Sequence, residues 1–499
     1  MSQIRVAGLT FCYEGSWENV FEDVSFHVDT SWKLGFIGRN GKGKTTFLKL
    51  LKGEYEYTGV IDAPCEFQYF PYEVPEEKKK EMTLEVVESL KPDVELWKIC
   101  RELELLKVNG EILYQPFETL SYGEQTKVML AALFSGENAF LLIDEPTNHL
   151  DSQAREIVCS YLGRKKGFIL VSHDRNFLDA CVDHILSLER NQIQVEKGNF
   201  STWWENKQRR DHFELTQNEK HKGEIKRLQE AARRTSGWAD ASESRKIGYI
   251  PEKDTNRNIG TRAYLGEKSR KMQQRRKNLK RRQEKMIEEK SSLLKNLETP
   301  VSLKLMPLVH PREVYIRAKD LSLFYGEKEV IRDFQMELRK GERVFLQGKN
   351  GCGKSTLLKA VLGRENVSHT GILEIPGGLK ISYMSQDTSW LQGSLEDFLR
   401  EREMEESLFK ALLRQLDFDR AQFLRPMETY SQGQKKKVLI AASLIQPAHL
   451  YLWDEPFNYI DVFSRMQIEN LILEYKPTML IVEHDRVFAE KCGTKVISF

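Results

Sequence analysis

The chain has 499 residues, 40% hydrophobic and 30% charged, with a formal net charge of +2. That length predicts two to four domains with buried cores, no stretch approaches the roughly 20 apolar residues of a membrane span, and the start has no signal-peptide layout; the expectation is a cytoplasmic protein. The seven cysteines, at 12, 65, 100, 159, 181, 352 and 492, lack the C-x-x-C spacing of zinc or iron–sulfur sites.

In chain order, residues 4–28 alternate apolar and polar side chains as half-buried strands do, and carry Tyr13. Residues 32–38 read as a buried strand feeding a glycine loop, Gly38, Asn40, Gly41, Gly43, Lys44, Thr45, and the segment from Thr46 has helical apolar spacing. Strand, loop and helix in this order suit a phosphate. Backbone N–H groups curl round it, the helix N-terminus adds positive potential, Lys44 reaches the terminal phosphates, and the Thr45 hydroxyl ligates magnesium. Residues 120–125, with Ser121, Gly123 and Glu124, carry an N-cap signal before a helix. Residues 139–145 form an apolar strand ending in Asp144 and Glu145; the first carboxylate can hold a magnesium shell and the second can orient a water for in-line attack on a γ-phosphate. His173, after a further apolar strand and before Asp174-Arg175, is placed to contact the same phosphate.

The middle of the chain is a different kind of object. Residues 201–299 hold 26 Lys/Arg against 15 Asp/Glu, a net of +11 that leaves the rest at −9, and residues 262–282 carry ten bases and one acid, Glu267. A charge run is ordinarily a solvated helix face, but an imbalance this large attracts phosphate backbones and points to nucleic acid. One long helix is predicted from Trp204 to about Arg234 and another over about 262–297, where Met272, Leu279, Met286 and Leu293 recur every seven residues as a thin seam for one partner helix. Between them, residues 236–260, with Trp238, Tyr249 and Pro251, read as the loop at the tip of a hairpin.

Then the first pattern returns. Residues 315–338 carry Tyr325, and 342–348 feed Gly348, Asn350, Gly351, Gly353, Lys354, Ser355 and Thr356; Ser431, Gly433 and Gln434 follow, then Asp454-Glu455 and His484. Lys354 lies 310 residues after Lys44, and both lysines stand 100 residues before their aspartate. The glycine pattern arises by accident in roughly one such sequence in fifty, so two copies in one register mean a duplicated α/β unit, a tandem P-loop NTPase.

Taken together these motifs resemble ATP-binding cassettes: Walker A, the Ser-x-Gly-x-Gln signature, Walker B with its catalytic Glu, D-loops at 148–151 and 458–461, and switch histidines. The resemblance implies cassette domains at 1–203 and 300–499 joined by a helical-hairpin linker at 204–299, with ATP and Mg2+ held between one cassette's Walker A and the other's signature. The first site would combine Lys44, Thr45, Asp144, Glu145 and His173 with Ser431 and Gly433. The second would combine Lys354, Ser355, Asp454, Glu455 and His484 with Ser121, Gly123 and Glu124. Tyr13 and Tyr325 would stack on adenine, with an ordinary packed strand tyrosine as the alternative. Gln386 matches the Q-loop magnesium ligand, whereas Tyr72 stands where the first cassette would have it. The signatures differ too, Glu124 against Gln434, so the sites need not hydrolyse at equal rates.

A basic hairpin between two cassettes, without a membrane segment, resembles the ABC-F proteins, which act on the ribosome. The enlarged tip, the 32–41 opening of Walker A, the short stretch of about 75 residues from Lys44 to Ser121 and the end at Phe499 resemble the antibiotic-resistance members of the Lsa/Vga type. That resemblance implies a monomer on the 70S ribosome, with no permease and no DNA partner. Its linker would enter the tRNA exit site and reach the P-site tRNA and peptidyl transferase centre, displacing lincosamide, streptogramin A or pleuromutilin drugs. Trp238 and Tyr249 would stack on bases, and Arg262, Arg270, Lys271, Arg275 and Arg276 would meet rRNA phosphates. Three readings compete: a housekeeping ABC-F translation factor, a fused two-cassette importer subunit, which would lack the charged hairpin, and a DNA-repair cassette ATPase, which would carry a longer hairpin and zinc cysteines.

Overall fold

The structure, a computed structural model, describes residues 2–15, 19–92, 95–136, 138–148, 150–189, 192–247, 305–363 and 367–499 with the isolated positions 274, 277–278, 281–282 and 286, and gives the backbone alone at 228–229 and 231–247. Residues Met1–Trp203 and Val301–Phe499 form one compact unit, and Trp204–Pro300 a second.

Within the first unit each half repeats one plan. The half-buried opening segments pair as antiparallel β1 (Gln3–Phe11) and β2 (Phe21–Asp29), joined by β4 (Thr58–Asp62) in the order β2-β1-β4. The apolar runs become a sheet of order β5-β6-β7-β3-β8-β9: β3 (Lys33–Ile37), β5 (Glu66–Phe70), β6 (Ala139–Asp144), β7 (Phe168–Val171) and β8 (His184–Glu189) run parallel, and β9 (Gln192–Lys197) returns antiparallel. Strands covered on both faces read as continuous apolar runs, as Phe168–Val171 does with four fully buried side chains.

The second half matches it with β10 (Val314–Tyr325), β11 (Lys328–Arg339) and β13 (Ser368–Glu374), and with a parallel sheet of order β14-β15-β16-β12-β17. Those strands are β12 (Arg343–Gln347), β14 (Ile381–Met384), β15 (Leu450–Asp454), β16 (Met479–Val482) and β17 (Lys495–Ser498).

Helices α1 (Lys44–Lys52), α2 (Thr83–Leu90), α3 (Leu96–Leu105), α4 (Tyr122–Phe134), α5 (Ser152–Leu162) and α6 (Arg175–Cys181) belong to the first half. After α7, the second half has α8 (Lys354–Val361), α9 (Leu395–Glu401), α10 (Glu406–Gln415), α11 (Gln432–Ile445), α12 (Val462–Tyr475) and α13 (Arg486–Cys492). Ser121 and Ser431 cap α4 and α11 in reciprocal boxes with Glu124 and Gln434, the role their N-cap signals predict.

Helix α7 (Phe200–Ile247) is anchored where it leaves β9: Phe200 and Trp203 are buried, and Asp179 accepts the Ser201 N–H at 2.7 Å. It runs past Arg234 through residues 236–247, where the sequence predicts the tip loop. Ala239, Ala241, Glu243, Arg245 and Lys246 are helix-compatible, and Gly237 is tolerated inside a long helix at about 1 kcal/mol. The rest of the tip, most of the second helix and the seam positions Met272, Leu279 and Leu293 lie outside the described residues.

Candidate functional site

Each phosphate loop joins a central strand to a helix, and its last glycine is irreplaceable on two counts. Gly43 and Gly353 have φ of 106° and 99°, and a Cβ would lie 2.5 Å from Val20 Cγ1 and 2.7 Å from Ile331 Cγ1. The lysines fold back on their loops. Lys44 Nζ donates to Gly38 O at 2.8 Å and Arg39 O at 3.1 Å, and Lys354 Nζ donates to Gly348 O and Lys349 O, both at 2.8 Å. Burial pushes the Lys44 ammonium down, against the pull of Asp461, Glu145 and Asp144. An anion at the loop relieves that desolvation, and the helix N-termini of α1 and α8 favour it as well.

Both acid pairs sit where a central strand ends. Glu145 and Glu455 take left-handed backbones, φ 51° and 47°, held there by N–H bonds to Val171 O and Val482 O, each 2.9 Å. Asp144 Oδ2 accepts from Thr45 Oγ1 at 2.7 Å and from Tyr69 OH at 3.1 Å; Asp454 is hydrogen-bonded to Ser355. Burial raises both aspartates, Asp454 to about 6, and Asp454 Oδ1 is buried with no partner among the described residues. A hydroxyl beside a desolvated carboxylate is an all-oxygen set that fits magnesium, which takes few protein ligands and completes its shell with phosphate and water.

The glutamates are held differently. Glu455 Oε2 accepts from Gln386 Nε2 at 2.7 Å and Asn458 Nδ2 at 2.6 Å, with His484 Nε2 4.0 Å from Oε1. Glu145 Oε1 lies 3.3 Å from His173 Nε2 without hydrogen-bond geometry. Burial and Asp144 push the Glu145 carboxyl up to about 8. Burial also takes His484 down to about 3 and His173 well below its ordinary range, so both rings are neutral and can offer a hydrogen bond rather than a charge.

The two halves meet at these loops. Asn40 Nδ2 donates to Tyr459 O at 2.7 Å, and a Cβ on Gly433 would lie 2.6 Å from that same carbonyl and 3.0 Å from Asn40 Nδ2. The first half's phosphate loop therefore rests on the second half's signature and D-loop. Behind it, Lys437 Nζ pairs with buried Asp461 at 3.0 Å; burial would raise that carboxyl, but Lys437 and the Ser464 N–H hold it below its ordinary range.

At the second site a cavity of about 550 Å³ is bounded by Asn350, Lys354, Ser355, Gln386, Glu455 and His484, and closed from the first half by Tyr122, Leu150 and Arg155. Gly351, Gly353, Thr356 and Tyr325 line it too. Ser121, Gly123 and Glu124 stand within two residues of Tyr122, with the Ser121 and Glu124 side chains joined by their 2.7 Å capping bond. Gly41 shares the positive φ of Gly351, 77° against 79°. Tyr13 differs from Tyr325: its hydroxyl bonds Thr46 Oγ1 at 2.5 Å, and its ring packs edge-on to Phe11 and Tyr55.

Strand register gives Tyr72 the position in the first half that Gln386 holds in the second. Phe70 pairs with Ile143 and Met384 with Trp453, each one residue before an acid, and Tyr72 and Gln386 both follow two residues later. The Tyr72 hydroxyl is buried without a partner among the described residues. Asn458 and Tyr459 fall in the D-loop expected at 458–461, without a role of their own in that expectation, and nothing in the sequence marks Tyr69 as an Asp144 partner. Trp238 lies on α7 with only its backbone described. Tyr249, Arg262, Arg270, Lys271, Arg275 and Arg276 lie outside the described residues.

Residues 21–148 and 331–458 each match the family model described as ABC transporter. Over 486 residues the chain is 28% identical to "Ribosome protection protein VmlR" of Bacillus subtilis (strain 168), covering 96% of this chain and 84% of that one. It is 27% identical over 506 residues to "ATP-binding protein Uup" of Buchnera aphidicola subsp. Acyrthosiphon pisum, covering 95% and 77%, and 26% identical over 556 residues to "ABC transporter F family member 2" of Arabidopsis thaliana, covering 99% and 76%. Among solved structures, "RNase-L Inhibitor" superposes with a TM-score of 0.61 at 20% identity, over 99% of this chain and 87% of that one, a likeness of fold.

Proposed function

Since the chain belongs to the ABC transporter family through both of its halves and is an ATPase of that kind, we propose that it is an ABC-F protein that binds the ribosome and protects it from peptidyl-transferase antibiotics. ATP bridges the two halves at each composite site. Lys44 and Lys354 hold the terminal phosphates, and Glu145 and Glu455 take a proton from the water that attacks the γ-phosphorus. Neutral His173 and His484 hold the γ-phosphate oxygens by hydrogen bonds. Thr45 with Asp144, and Ser355 with Asp454 and Gln386, would hold magnesium, which would neutralise charge on the transferring phosphoryl group. Tyr325 stacks on the adenine of the second site.

The observation that carries the ribosomal reading is the reach of the likeness to VmlR. It covers 96% of the chain and so includes the segment between the cassettes, not only the ATPase halves. Among the described residues no helix is long and apolar enough to cross a membrane, which counts against a permease-coupled role. Residues 204–299, with their net positive charge, enter the tRNA exit site, approach the P-site tRNA and peptidyl transferase centre, and there disfavour lincosamide, streptogramin A and pleuromutilin binding. A housekeeping translation factor of the same family is the second reading, favoured by the likeness to Uup and to the plant F-family member.

Ribosome co-sedimentation of the Glu145→Gln/Glu455→Gln protein tests the cycle. With both bases removed, ATP turnover falls at least about 100-fold and ATP-dependent ribosome binding rises; equal binding without nucleotide refutes it. Drug susceptibility of cells with and without the gene separates protection from housekeeping, and no change for any peptidyl-transferase drug excludes protection.

A further inference from the structure

We propose that a second cavity, inside the C-terminal half, is the passage through which inorganic phosphate leaves the second ATP site while the two halves stay closed. The proposal rests on the reading of that site as hydrolytic. The cavity, about 650 Å³, lies between β14 with the segment after it and the C-terminal end of α11. Its inner wall is Ser355, Asp454 and Gln386. Ser355 and Gln386 also line the 550 Å³ nucleotide cavity, so the two cavities adjoin across these two side chains, where the γ-phosphate and its metal would sit.

The walls suit transit rather than storage. Lys359 lines this cavity, with Nζ 3.4 Å from the hydroxyl of Tyr325, which lines the nucleotide cavity, and the Arg402 guanidinium lies over the rings of Phe398 and Trp390 at 4.6 and 5.1 Å. These cations offer a dianion successive partners, while Asp387 and Asp454 on the same walls keep it from settling. Hydrolysis forms a bond from the water oxygen to the γ-phosphorus, breaks the bond to the bridging oxygen of ADP and leaves the water's proton on Glu455. The phosphate so formed is already beside Gln386.

The first half is built the other way at the matching place. Lys91 follows α2 as Arg402 follows α9, but its ammonium turns inward and donates to Ala132 O and Leu133 O, both at 2.9 Å. Those helix positions match Ala442 and Ser443, 310 residues on, which line the open cavity. A lysine side chain thus stands in the first half against the helix positions that border open space in the second, and on this proposal phosphate leaves the first site when the halves part.

The test uses the full chain carrying Glu145→Gln, so that only the second site cleaves. Cleavage is followed by acid quench and release by a fluorescent phosphate sensor. Ala442→Phe narrows the passage from its wall and Gln446→Trp at its exposed rim; either should slow release at least tenfold with cleavage unchanged, giving a burst of cleaved, retained phosphate. In a Glu455→Gln chain, Lys91→Ala should speed release from the first site. Release that keeps pace with cleavage in both narrowed variants, or that falls only as far as cleavage does, overturns the passage. Absence of cleavage in the Glu145→Gln parent refutes the hydrolytic second site instead.

Discussion

A left-handed backbone at a glutamate costs on the order of 1 kcal/mol or more, and here it recurs at Glu145 and Glu455, where N–H bonds to the neighbouring strand over-determine it. The same tightness shows at Gly433, whose missing Cβ lets Tyr459 O approach, while the nearest atom to a Cβ on Gly123 is Leu150 Cδ2 at 3.7 Å. Gly433→Ala is expected to lower stability by about 1–3 kcal/mol in denaturant melts and Gly123→Ala by much less; equal losses would remove the asymmetry.

Glu483 makes a pH prediction. It stands where the first half has Ser172, which lies 3.3 Å from Thr147 Oγ1, but Thr147 is replaced by Phe457 in the second half. Burial pushes the Glu483 carboxyl up to about 8, against the pull of Arg465 and Arg155. A folded state that holds its proton more tightly than the unfolded chain is favoured at low pH, and loses that advantage as pH rises from the ordinary carboxylate range through about 8. Glu483→Gln removes the loss, so its advantage in unfolding free energy, read from denaturant melts, should widen from pH 5 to pH 8, by at most about 1.4 kcal/mol per pH unit. A constant gap refutes this.

Between elements, the duplicated parts are used unequally. Arg175 opens α6 and makes a buried two-pronged pair with fully buried Glu469 of α12, one prong at 3.2 Å, and Lys491 adds a contact at 3.1 Å. Its counterpart Arg486 opens α13 and meets Glu156 at 2.5 Å with both side chains more than half exposed. Breaking a buried pair strands a charge, whereas an exposed pair is screened. Arg175→Ala should therefore cost about 3 kcal/mol in urea unfolding, less whatever Lys491 recovers, and Arg486→Ala less than about 1 kcal/mol. Losses of the same size would mean that desolvation does not decide the difference.

For the whole molecule, the proposed ribosomal role predicts a salt-sensitive interaction carried by the middle segment. Reversing Arg270, Lys271, Arg275 and Arg276 to Glu should weaken ATP-dependent ribosome co-sedimentation and flatten its dependence on salt, with ATPase activity of the free protein unchanged. Loss of free ATPase activity, or unaltered binding, would contradict a phosphate-contact role for these side chains.

The glycine loops, acid pairs, histidines and capped signature serines were legible because each is a short motif whose spacing is set by one strand, one turn or one helix N-terminus. Such geometry is local, and its duplication 310 residues apart removed accident as an explanation. The first long helix was legible in its existence but not in its end, because residues 236–247 combine turn-forming types with helix formers and no local signal arbitrates.

What the sequence by itself determined is therefore the chemistry of each half and the presence of a basic insertion between them. Only the tertiary structure decided which residues cross from one half to the other, Asn40 to Tyr459 and Arg175 to Glu469, and that Tyr69 rather than Tyr72 reaches the Walker B aspartate. Those contacts join residues hundreds of positions apart or side chains that alternate across a strand. Their partners are chosen by packing, which no spacing in the chain encodes.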